Sequence, residues 1–185
     1  MEPRLISVFG SSTPMPDSDD YLRAWEVGNR LAQAGFAVAT GGYTGTMAAV
    51  SQGAAEAGGL VYGVACERIE LFRRGSGLNQ WVGREVRYPS LEERVLHLVK
   101  DNQGMIALPG GVGTLSELAL AWSFLQVNEM PARPLVLLGA FWRDFLAAFV
   151  RPDYIHESHL ELVTLTDSPA EAVAYIHEHA APAAG

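Results

Sequence analysis

The nine residues Pro109-Gly110-Gly111-Val112-Gly113-Thr114-Leu115-Ser116-Glu117 constrain the fold of this chain more than any other stretch. An apolar run, Met105-Ile106-Ala107-Leu108, leads into them, and a helical pattern, Leu118-Ala119-Leu120-Ala121-Trp122, leads out. A strand, a glycine loop and a helix in that order aim free backbone N–H groups and a helix dipole at one point, which suits an anion. Glycines at 110, 111 and 113 let the backbone approach a phosphate that side chains would block. Thr114 adds a hydroxyl donor at the helix start. Glu117 fits two readings. It completes a capping box with Thr114 and complements the dipole, or it addresses a second, electropositive part of the same ligand.

The rest of the chain alternates strands with helices. Short apolar runs predict strands over 5–9, 36–39, 60–65, 105–108, 134–138 and 162–165, with a further short strand over 85–87. Helical spacing predicts helices over 17–34, 48–57, 90–101, 141–150 and 169–179, besides the one that follows the glycine loop to about 127. In the first helix Tyr21, Leu22, Trp25, Val27, Gly28, Leu31 and Ala32 make the apolar face, and Gly35 stops it. Ser90 with Glu93 reads as a capping box. Residues 67–83, with Arg68, Arg73 and Arg74 among Gly75 and Gly77, are the least regular part, and 180–185 read as a frayed tail. Such alternation predicts one α/β domain over 1–185, a three-layer sandwich with a mostly parallel sheet and helices on both faces.

In sheets of that kind ligands sit beyond the carboxyl ends of the strands, where the strand order reverses. Three predicted strands end in glycine-bearing loops: Gly10-Ser11-Ser12, Gly41-Gly42…Gly45-Thr46, and Gly110-Gly111…Gly113. Together on one edge they suit a nucleotide-sized site. None has the spacing of a dinucleotide or triphosphate loop.

Composition narrows the partners. A formal net charge of −8 argues against nucleic acid, which normally meets a basic face. No apolar stretch approaches the roughly 20 residues of a membrane span. A single cysteine, Cys66, excludes an internal disulfide, and with no signal-peptide core after Met1 the expectation is a reducing, cytoplasmic setting. Twelve of the thirteen basic residues are arginine, so Schiff-base chemistry would have to use Lys100. His156 with His159, and His177 with His179, lack the companions of a metal site, and no metal is expected.

With these residues the chain resembles the LOG (Lonely Guy) family, long labelled lysine decarboxylases. The resemblance covers about residues 5–150, and its most specific element is a PGGxGTxxE signature matched in full at 109–117. Arg94, fifteen residues before Pro109, matches a helix-borne arginine of the family. Phe9-Gly10-Ser11-Ser12, Gly41-Gly42…Gly45…Met47 and Gln126 are weaker matches. The chain departs from the family at Tyr43 and Ala48, where glycines are usual. It departs again at Val95 for a lysine, Leu120 for a second glutamate and Phe124 for a tryptophan. The resemblance implies a Rossmann-like homodimer that hydrolyses the N-glycosidic bond of a nucleoside 5′-monophosphate, AMP or a cytokinin riboside monophosphate, without a cofactor. A non-catalytic nucleotide or cofactor carrier of the same fold is the alternative.

Breaking that bond builds positive charge on the ribose, which a carboxylate beside the sugar stabilises. Glu117 is the candidate, one helical turn from a phosphate resting on Gly110, Gly111, Val112, Gly113 and Thr114. Arg94, by the resemblance, contacts the ligand near the scissile bond or holds Glu117 in register. Otherwise it is a solvated residue paired with Glu92 or Glu93. Ser11 and Ser12 either line the ribose or phosphate or serve as turn residues, and Gly42, Gly45 and Thr46 offer further donors at another helix start. Tyr43 stacks on a base or is simply packed, His97 shares the Arg94 face, and Cys66 ends a buried strand. Trp122, Phe124 and Leu125, with Leu91, Leu96 and Leu98, read as surplus apolar surface suited to a dimer contact.

Overall fold

A computed structural model describes residues 3–72 and 77–181. Arg73, Arg74 and Gly75, and the tail from 182 onward, lie outside the described residues. The element order is β1 (Leu5–Phe9), α1 (Asp19–Gln33), β2 (Ala37–Thr40), α2 (Thr46–Glu56), β3 (Val61–Cys66), α3 (Glu67–Phe72) and β4 (Arg84–Tyr88). It continues through α4 (Leu91–Lys100), β5 (Gly104–Ala107), α5 (Val112–Gln126), β6 (Leu135–Leu138), α6 (Ala140–Phe149), α7 (Glu157–Leu160), β7 (Thr164–Thr166) and α8 (Pro169–His179).

The strands form one seven-stranded sheet in the order β4-β3-β2-β1-β5-β6-β7, and every pairing is parallel. Their side chains alternate between two apolar layers. Ile6, Val38, Ile106 and Val136 meet α1, α2 and α8 through Val27, Leu31, Val50 and Ile176. Phe9, Ala39, Met105 and Leu137 meet α4, α5 and α6 through Leu98, Leu118, Trp122 and Trp142. Burial on both faces is why the strands read as continuous apolar runs rather than alternating ones. The strand order reverses between β1 and β5, and this opens a crevice at their carboxyl ends.

Local signals place most boundaries. Ser18, Ser90 and Ser168 cap α1, α4 and α8 by accepting from the N–H three residues on. Helices α1 and α2 touch backbone to backbone: a β-carbon at Gly28 would sit 2.0 Å from the Val50 carbonyl oxygen, and one at Gly53 would sit 2.0 Å from that of Trp25. Gly53→Ala is therefore expected to destabilise the chain by about 1–3 kcal/mol in urea unfolding, although alanine gains about 1 kcal/mol in helix propensity. A net gain in stability would mean that the two helices are not packed this closely.

Several expectations are corrected. Leu22 is exposed, and Ala24 takes its place on the buried face of α1. α3 and α7, of six and four residues, fall in stretches without predicted structure, because elements this short carry no readable period. The last strand begins at Thr164 rather than 162. Trp122, Leu125 and Leu98 are buried core residues, not surplus surface: α7 covers Trp122, whose Nε1–H donates to the His159 carbonyl at 2.7 Å. No helix of the described residues is long and apolar enough to cross a membrane.

Candidate functional site

A cavity of about 310 Å³ fills the crevice and takes its lining from the ends of four adjacent strands. Gly10, Ser11, Ser12 and Thr13 follow β1; Gly41, Tyr43 and Met47 follow β2; Ile69 follows β3; Gly111, Val112, Gly113 and Thr114 follow β5. Val8 within β1, Arg94 from α4 and Glu117 from α5 complete it. A larger, mostly apolar cavity of about 470 Å³ lies between α5, α6 and the chain around Tyr154. Its lining includes Trp122, Phe145, Phe149 and His159 and, among the described residues, no carboxylate, whereas the smaller cavity holds Glu117 beside Arg94.

α5 begins at Val112 with Gly111 as its cap and no side chain capping it. The first-turn N–H groups of Val112, Gly113 and Thr114 therefore have no intrahelical acceptor and stand at the cavity, with the positive end of the dipole behind them. This start rules out the capping box: Thr114 is already inside the helix, and Glu117 turns away from it. The Glu117 carboxylate instead accepts from Nη1 of Arg94 at 3.1 Å. Both side chains are buried. Burial pushes the Glu117 carboxyl above its ordinary value, and the charge and hydrogen bond of Arg94 offset only part of that rise.

Arg94 is not the solvated partner of Glu92 or Glu93. Its Nε–H donates to the Val64 carbonyl at 2.9 Å, which ties the guanidinium to β3. A β-carbon at Gly41 would lie 2.1 Å from its Nη2, so glycine there makes room for the arginine. Gly41 was visible only as part of a glycine cluster, and its purpose depends on a contact with a residue 53 positions away. Ile69 and Thr13 carried no signal in the sequence.

The remaining expected residues divide. Gly10, Ser11, Ser12, Gly111, Val112, Gly113 and Thr114 line the cavity with Arg94 and Glu117. Gly110, Gly42, Gly45 and Thr46 do not. The Thr114 side chain folds over Gly110, whose β-carbon would lie 2.2 Å from Thr114 Oγ1. Thr46 spends its N–H and its hydroxyl on the Ser11 carbonyl, at 2.9 and 3.1 Å, and a β-carbon at Gly45 would meet the same oxygen. These two residues brace the first loop rather than offer donors to a ligand. Gly42 donates to Thr40 Oγ1 and accepts from Asn79. Tyr43 is packed, its hydroxyl bonded to the backbone of Cys66. His97 bonds Tyr88 and Asp101 outside the cavity. Lys100 pairs with Glu129 at 2.8 Å and lies over the Phe124 ring, also outside it. Among the described residues no group of three or more His, Cys, Asp or Glu side chains is disposed to hold a metal ion.

A family model described as possible lysine decarboxylase matches residues 47–176. A probable cytokinin riboside 5′-monophosphate phosphoribohydrolase of Oryza sativa subsp. japonica is 31% identical over 153 residues, which are 80% of this chain and 59% of that protein. The match thus spans about six tenths of that relative's length. A cytokinin riboside 5′-monophosphate phosphoribohydrolase of Arabidopsis thaliana is 28% identical over 182 residues, 96% of this chain and 83% of that one. Among solved structures, the molybdenum cofactor binding protein of the phototrophic bacterium Rippkaea orientalis superposes with a TM-score of 0.72 at 26% identity, covering 96% of this chain and 98% of that one. With the match running from the second glycine loop into the closing helix, the chain belongs to the possible lysine decarboxylase family, which includes the LOG proteins.

Proposed function

We propose that this chain hydrolyses the N-glycosidic bond of a nucleoside 5′-monophosphate and releases the free base and ribose 5-phosphate. One observation carries the reading: a buried Arg94–Glu117 pair shares a cavity with the open amides of α5. The amides of Val112, Gly113 and Thr114 take the phosphate. Glu117, five residues further along α5 than Val112, then lies about one and a half turns away, where the ribose falls. As the base departs with the bonding electron pair, positive charge grows on the sugar and the carboxylate faces it. A pure carrier of anions gains nothing from a carboxylate at this place, since it opposes the ligand's charge. Among the described residues Glu117 is the only carboxylate of the lining, so water displaces the base directly: its oxygen bonds to the sugar carbon as the bond to the base breaks, and one of its protons ends on the departing base. Trapping a ribosylated Glu117 by mass spectrometry would refute that step.

The test is chromatographic detection of free base from a panel of nucleoside 5′-monophosphates, AMP first. Release of base and ribose 5-phosphate in equal amounts is expected. Saturable AMP binding without turnover would leave the non-catalytic alternative, a nucleotide or cofactor carrier; the Rippkaea orientalis protein is by its name a molybdenum cofactor binding protein.

The reading includes a homodimer. The outer face of α5 presents Val112, Leu115, Ser116, Ala119, Ser123 and Gln126, without a charge, on a chain of net charge −8. Two chains of like net charge repel least where they meet through an uncharged face. Light scattering of the wild type is expected to give twice the chain mass, and Ala119→Glu to give the monomer. A wild-type monomer would remove the dimer from the reading.

A further inference from the structure

We infer that Tyr43 closes the base end of the cavity and restricts the site to nucleobases without a bulky substituent on their outer edge. The inference rests on the phosphoribohydrolase reading for the direction in which the ligand lies. The lining residues come from β5, β1, β2 and β3, which are adjacent in that order. Neighbouring strands are about 4.8 Å apart, so the cavity runs about 14 Å from the α5 amides to the end of β3. A nucleotide with its phosphate on α5 lays its ribose over Glu117 and Arg94 and its base toward β2 and β3. There the lining is Tyr43, Met47 and Ile69, uncharged and apolar, as a flat neutral base requires.

Tyr43 is the fixed member of that wall. Its side chain leaves the loop after β2 and reaches the end of β3. There its hydroxyl accepts from the Cys66 N–H at 2.9 Å and donates to the Cys66 carbonyl at 3.3 Å. The residue is 2% exposed. Swinging the ring aside breaks both bonds and leaves buried backbone groups unpaired. The loop behind it is held as firmly: Asn79 Nδ2 donates to the carbonyls of Gly42 and Tyr43 at 2.9 and 3.0 Å. Ile69, by contrast, sits on a six-residue helix without a buried residue, so it can yield where Tyr43 cannot. A cavity of about 310 Å³ is at the lower end of the about 300–1,000 Å³ found for small-molecule sites. A bulky group on the exocyclic amine of the base that points at β2 meets the Tyr43 ring, the member of this wall that does not give way.

The experiment compares AMP with N6-benzyl-AMP on the wild type, Tyr43→Ala and Tyr43→Phe. It reads kcat/KM by base release and, separately, dissociation constants by calorimetry. The wild type is expected to favour AMP by about tenfold or more, the scale at which a pocket discriminates by apolar bulk. Tyr43→Ala should narrow that ratio by raising the value for N6-benzyl-AMP, whereas Tyr43→Phe, which keeps the ring, should leave it within about threefold. Equal handling of the two nucleotides by the wild type overturns the inference even if the alanine variant does not fold. So does a parallel change for both nucleotides in Tyr43→Ala. If no base is released, the hydrolase reading fails, while the ratio of dissociation constants still decides the role of Tyr43. If neither nucleotide binds the wild type, both fall.

Discussion

Glu117→Gln is expected to lower base release from AMP by about 10²–10³-fold, the usual effect of removing one preorganised group that faces transition-state charge. Glutamine keeps the volume, and its amide oxygen can still accept from Arg94 Nη1, so the variant should fold and bind AMP. Binding should even tighten, because a negative charge near the phosphate has gone. The readout is kcat by chromatography beside a calorimetric Kd. Activity within tenfold of the wild type would remove the carboxylate from the reaction.

The raised carboxyl adds a pH signature. The ionised form is the one that faces the developing cation. Activity should thus fall as pH decreases through a value above the ordinary glutamate range, and Glu117→Gln should lack this limb.

Arg94→Ala is expected to cost about 3–5 kcal/mol of stability near pH 8, because it leaves the Glu117 carboxylate buried without its cation. The sign of the pH dependence follows from the direction of the shift. A carboxyl whose value is raised on folding binds its proton more tightly in the folded chain. Its ionisation costs stability above that raised value, and the cost disappears below the ordinary carboxylate range. Without Arg94 the carboxyl rises further, so the gap between variant and wild type should shrink as the solution is made acidic. Urea unfolding at several pH values measures it, and a gap that does not change with pH would mean that the pair is not coupled as described. Replacing both partners with apolar residues, Arg94→Met with Glu117→Leu, should restore much of the stability and none of the activity. That outcome would mark the pair as kept for the site rather than for the fold.

Much of this was legible in the chain, and the reasons are local. Strands β1, β2, β3, β5 and β6 show as apolar runs because a parallel sheet is buried on both faces. α8 was readable to the residue because Ser168 caps it and Pro169 starts it. The signature loop was visible because its glycines and Thr114, whose side chain folds over Gly110, lie within five residues, and the capping box at Ser90 because its residues are three apart.

What the sequence left open depends on residues far apart. Thr114 and Glu117 have capping-box spacing, yet the helix starts earlier and Glu117 turns to Arg94, 23 positions away. Thr46 looked like a donor for a ligand until the fold set the Ser11 carbonyl against it. Gly41 has its glycine because Arg94 crosses from another helix, and Tyr43 is a wall because β3 ends beside β2. The sequence by itself determined the layers, the signature glycine loop and the residue types available to the chemistry, since these follow from periodicity and composition within a few residues. Only the tertiary structure decided which of them meet, because the reversal of strand order between β1 and β5 is a property of the whole sheet and brings residues as far apart as Val8 and Glu117 into one cavity.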